Sequence, residues 1–137
     1  MPPVTRVVQI QFKDGVDADR RKTVRVIADA PKSIATQREP LTVNICYIKV
    51  LDKVRAMKVN CLSRQTGQSY IQFIRVGKDV SPEPLNNGST HQFILEFNSE
   101  ADRDYYSSRD PAHQAVIAGL GPVLEKIQIL DIIDGEI

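Results

Sequence analysis

Apolar and polar residues alternate at several places along this chain, and the alternation outlines a sheet. In residues 4–12, Val8, Ile10 and Phe12 face one way and Val7, Gln9 and Gln11 the other, which predicts a strand with one strongly apolar face. The same period of two returns most clearly at residues 90–97. There His91, Phe93, Leu95 and Phe97 share one face, and Thr90, Gln92, Ile94 and Glu96 the other. Residues 70–76 and 126–133 read as two further strands. Between residues 40 and 55, Val43, Ile45 and Tyr47 alternate with Asn44, Cys46 and Ile48 ahead of Val50 and Leu51. A strand is expected there, with a helix as the alternative for so short an apolar run. Residues 57–67 then end that element in a loop.

Helical spacing fills the gaps. After the turn residues Lys13, Asp14 and Gly15, Asp17 is placed to cap a helix. Val24, Ile27 and Ala28 recur at i, i+3 and i+4, Arg20, Arg21, Lys22 and Arg25 form a solvated face, and Pro31 ends the helix. A second helix begins at Ser99 as N-cap, with Glu100, Asp102 and Asp104 complementing its positive end. Pro111 restarts a helix as its first residue, capped by Asp110, with Ala112, Val116 and Leu120 at i, i+4 and i+8. Gly119 and the Gly121–Pro122 pair break it. Residues 77–88 carry prolines at 82 and 84 and glycines at 77 and 88, and read as a surface loop. The resulting order points to an α+β, βαββαβ plan: one antiparallel sheet with helices on one face. Apolar side chains on the open face would then be covered by a second copy, so a homodimer is expected.

Composition narrows the task more than it defines it. The 137 residues are 42% hydrophobic and 26% charged, which suits a single domain over residues 1–137 and excludes a disordered chain. No apolar run approaches the ~20 residues of a membrane span. The start of the chain lacks the basic-then-apolar pattern of a signal peptide. Lys and Arg number 18 against 17 Asp and Glu, so no field exists to grip nucleic acid. Cys46 and Cys61 lack the spacing of a zinc site or disulfide framework, and a cytoplasmic home with free thiols is expected. No metal or cofactor is expected.

Several segments together resemble a known family. Gly88-Ser89-Thr90-His91, the strand to Phe97, Ser99-Glu100 and Asp110-Pro111-Ala112-His113-Gln114-Ala115 are similar to the stress-responsive A/B barrel family, and residues 8–15 fit its first strand and turn. The paired tyrosines ahead of Asp-Pro-Ala-His resemble its fungal branch. The resemblance implies a dimeric α+β barrel of ferredoxin-like topology and a relationship to polyketide cyclases of the olivetolic acid cyclase kind. It covers residues 4–30 and 56–134, which marks residues 31–55 as either an insertion or translated intron sequence. The tyrosine of that cyclase's catalytic pair lies four residues before the proline, where this chain has Ser107. Counted from Phe97, the tyrosine falls on Tyr106, with Tyr105 as the lesser choice.

The chemistry that follows is an aldol-type closure. A base removes a proton from a methylene between carbonyls, a role that suits a histidine. A buried phenol can donate to the developing oxyanion. The resemblance thus assigns His113 as base, Tyr106 as oxygen donor and His91 as a further polar group in a chamber lined by Ile10, Phe93 and Leu95. The implied partner is an apolar, polyketide-like small molecule. Two alternatives stay open: a non-catalytic dimeric protein of the stress response that binds a small molecule, and, ranked below it, a monooxygenase.

Overall fold

The structure, a computed structural model, describes residues 1–16 and 47–137. The helix expected after Asp17 and the alternating pair Val43 and Ile45 lie outside the described residues. Among those described, the order is β1 (Val4–Phe12), α1 (Tyr47–Asn60), β2 (Ile71–Lys78), β3 (His91–Phe97), α2 (Glu100–Ser108), α3 (Pro111–Leu120), a single 3-10 turn (Gly121–Val123) and β4 (Leu124–Ile132). The four strands form one antiparallel sheet in the order β2-β3-β1-β4. This is the ferredoxin-like α+β fold.

Alternation places the core. Val4, Val8 and Ile10 of β1 stand beside Phe97, Phe93 and His91 of β3, and all are buried on the helix-covered face. The 3.6-residue period decides the segment after residue 47, which corrects the expected strand at residues 40–55 over its described part. Val50, Val54, Met57 and Cys61 recur at helical spacing with Leu51 beside them, and every one is buried. Lys49, Asp52, Lys53 and Arg55 occupy the outer side. Helix α1 packs against β2 and α3, so Val50, Leu51 and Val54 belong to the core.

The caps read from the sequence are present. Ser99 accepts the Asp102 N–H, and Asp110 accepts the N–H groups of Ala112 and His113. Helix α3 runs through Gly119 to Leu120 before Gly121 and Pro122 tighten into the 3-10 turn. Gly88 holds φ +82°, and a Cβ there would lie 2.8 Å from the Gln11 side chain, which explains glycine ahead of Ser89.

The opposite face of the sheet is uncovered among the described residues. Val7 of β1 pairs with Ile94 on one side and Leu130 on the other, giving an apolar cross-strand row. Gln9 pairs with Gln92 and Gln128 in a polar row beside it. Leu130 and Ile132 are more than half exposed.

Candidate active site

Among the described residues, the helix-covered face does not close completely at the β4 edge. Val8, Phe93, Ile127 and Ile129 from the sheet, Met57 from α1, and Val116, Ile117 and Leu120 from α3 surround a half-open cavity of about 410 Å³. Its wall is almost all hydrocarbon. The polar side chains on it are Arg6, Tyr106, Ser107 and His113. Of the residues expected to line a chamber, Phe93 does so, whereas Ile10 and Leu95 are wholly buried in packed core.

His113 is held from two directions. Its backbone N–H, with that of Ala112, is accepted by Asp110 Oδ1 at 3.3 and 2.8 Å. The Tyr70 hydroxyl, at the entry to β2, donates to Asp110 Oδ2. Asp110 is only 1% exposed, so this bond anchors the start of α3 to the sheet inside the core. Burial, followed by the neighbouring Asp110, pushes the adjacent Cys61 thiol up to about 12, and burial likewise raises Tyr70.

The imidazole itself meets Tyr106 twice. The rings stack with centroids 3.7 Å apart at 24°, and Nδ1 lies 2.7 Å from the Tyr106 carbonyl oxygen. A carbonyl can only accept, so Nδ1 carries the hydrogen and the neutral ring presents its lone pair at Nε2. Nε2 has no hydrogen-bond partner among the described residues. Burial chiefly, and the Arg6 charge after the opposing bond to Tyr106, lower the His113 pKa from its ordinary value. The ring therefore stays neutral, and basic, to lower pH than a free histidine.

Tyr106 is buried, and its hydroxyl donates weakly to Met57 Sδ at 3.8 Å. The two expected partners are thus brought together by ring stacking and a backbone bond rather than by phenol to imidazole. His91 is not brought to this cavity. It packs edge-on against Phe12, its Nδ1 lies 2.9 Å from Thr90 Oγ1, and it borders a separate polar cleft with Asp79 and Asn86.

Sequence reasoning missed Arg6, Ser107 as a cavity residue, and Asp131. Arg6 stands on the apolar face of β1 between Val4 and Val8, and a charge there was the available signal. Register makes Asp131 of β4 its direct neighbour. Nε and Nη2 donate to the two Asp131 oxygens at 2.7 and 2.8 Å, and Nη1 donates to Ser107 Oγ at 2.9 Å. The guanidinium also lies over the Tyr106 ring at 5.7 Å. Hydrogen bonding to Arg6 holds the Asp131 carboxyl below the usual carboxylate range, with Arg103 adding a contact at 3.3 Å.

This arrangement defines a class: a ferredoxin-like α+β domain with an apolar cavity, edged by an imidazole and a guanidinium, between sheet and helices. The chain belongs to the Stress responsive A/B Barrel Domain family, which residues 4–134 match. It is similar in structure to an Arabidopsis thaliana protein at 22% identity and TM-score 0.66, with 98% of this chain and 97% of that one covered. A hydroxynitrile lyase of Passiflora edulis matches at 19% identity and TM-score 0.56, covering 99% and 96%. A dimeric protein of unknown function from Bacteroides fragilis matches at 18% identity and TM-score 0.53, covering 96% and 95%. No curated protein matches the chain. Among the described residues, no helix is long and apolar enough to cross a membrane.

Proposed function

We propose that this protein is a small cofactor-independent polyketide cyclase or related lyase, of the kind used in fungal secondary metabolism, and that it promotes an aldol-type ring closure. The observation that carries this reading is the 2.7 Å bond from His113 Nδ1 to the Tyr106 carbonyl at the edge of the apolar cavity, which leaves Nε2 as the basic atom. In the reaction, Nε2 takes a proton from a methylene flanked by carbonyls, and the C–H electron pair becomes an enolate. The enolate carbon attacks a second carbonyl of the same chain, closing the ring. The alkoxide so formed takes the proton back from the imidazolium. Base catalysis of this kind contributes roughly 10²- to 10⁴-fold, and a cavity that holds the chain bent supplies further rate. At about 410 Å³ the cavity lies within the range of small-molecule sites.

The protein acts as a homodimer in this reading, with the Val7, Ile94 and Leu130 row as the covered surface. The dimeric Bacteroides fragilis relative supports that assembly. The enzymatic reading is tested by incubating wild type and His113→Ala with the linear product of a polyketide synthase and scoring rings. Wild type is expected to change the product ratio and His113→Ala to abolish the change while leaving the dimer intact. Unchanged ratios with wild type would overturn the reading. The same Tyr106 bond also ties α2 to α3, which favours a second reading: a non-catalytic, dimeric small-molecule-binding protein of the stress response. In that case the ligand would bind and emerge unchanged.

A further inference from the structure

We propose that Arg6 and Ser107 form the oxygen-binding end of the cavity, holding a carbonyl or enolate oxygen of the ligand while its hydrocarbon body lies against Val8, Met57 and Phe93. This deepens the reading of the cavity as a ligand site and rests on it. The argument begins with hydrogen-bond counting. A guanidinium has five N–H groups, and Arg6 places one on each Asp131 oxygen and one on Ser107 Oγ. Two N–H groups remain, on Nη1 and Nη2, without a partner among the described residues. Ser107 Oγ accepts from Arg6, which leaves its own hydroxyl proton to be donated, and no acceptor for it is found among the described residues. Ser108, by contrast, turns its hydroxyl back to the Asp104 carbonyl at 2.7 Å.

The two side chains therefore offer donors and no free negative charge, on a wall whose other polar side chains are Tyr106 and His113. A hydroxyl that accepts from a cation is a stronger donor than a free one. Asp131 makes the guanidinium rigid, and rigid donors bind an oxygen at low entropic cost. Tyr106, whose hydroxyl is directed at Met57, is left to stack on His113 rather than to bind the oxygen. The ligand so recognised is an apolar molecule with a carbonyl or 1,3-dicarbonyl group, its oxygen at Arg6 and Ser107 and its acidic C–H towards His113.

The test is equilibrium binding of benzoylacetone, a 1,3-diketone on a phenyl ring, against butylbenzene, which has a comparable body and no oxygen. Wild type is expected to bind benzoylacetone at least tenfold more tightly than butylbenzene. Ser107→Ala should weaken benzoylacetone about tenfold and leave butylbenzene unchanged, and Ser107→Thr should restore most of the loss. Equal binding of the two probes by wild type, or no effect of Ser107→Ala on benzoylacetone, would overturn the proposal. Failure of wild type to bind either probe would overturn it together with the cavity as a ligand site. Expected binding ratios without any ring formation from polyketides would leave the oxygen-binding end standing and remove the catalytic role of His113.

Discussion

Removing the Asp110 side chain should cut the tie between the start of α3 and the sheet. In Asp110→Ala, the N–H groups of Ala112 and His113 lose their acceptor at 2.8 and 3.3 Å, which is the loss of an N-cap at about 1 kcal/mol. The Tyr70 hydroxyl, which donates to Asp110 Oδ2 inside the core, is orphaned at a further cost of about 2 kcal/mol. The sum of about 3 kcal/mol is a large share of the ~5–15 kcal/mol that holds a domain together. For a chain of this length it lowers the melting temperature by about 10 °C. Urea unfolding followed by far-UV circular dichroism, at one fixed protein concentration, measures the loss. Tyr70→Phe should cost about 1 kcal/mol, and the double variant, which leaves no orphaned hydroxyl, should be less unstable than the sum of the singles by about 2 kcal/mol. A loss below about 1 kcal/mol for Asp110→Ala, or strict additivity with Tyr70→Phe, would refute the anchoring of α3 described here.

Two further expectations concern pH. Arg6 depresses the folded-state pKa of Asp131 below its ordinary 3.8, so this pair stabilises the fold above about pH 4. That contribution is lost as pH falls through the depressed value; Asp131→Asn should flatten the decline in urea stability between pH 5 and pH 2, and an unchanged decline would contradict the pairing. Burial lowers the His113 pKa from 6.5, so the acid limb of any pH–rate profile for product formation should fall below pH 6.5. A limb above that value would exclude His113 as the group that titrates.

Much of the sheet could be read from the chain because period-two alternation is a local property. His91, Phe93, Leu95 and Phe97 announced β3, and Ser99 and Asp110 announced their helices through side chains that bond within three residues. Helix α1 was misread because Val50 and Leu51 are adjacent and follow an alternating stretch. Only the spacing on to Val54, Met57 and Cys61, which all reach the core, reveals its period. The site was legible in part. His113 and Tyr106 stand seven residues apart on consecutive helices, so local caps were enough to bring them together. Arg6 and Asp131 are 125 residues apart in the chain, and only the β1–β4 register makes them neighbours. His91 was misplaced because a shared strand face extends beyond the cavity: Phe93 borders it, and two residues earlier the same face has passed under Phe12.

The central claim, that His113 takes a proton from a carbon beside a carbonyl, can be measured without knowing the natural substrate. Proton NMR of 4-phenylbutan-2-one in D2O follows exchange of its α-hydrogens. Wild type should exchange them roughly 100-fold faster than His113→Ala at equal protein concentration. Equal rates for the two proteins would contradict it.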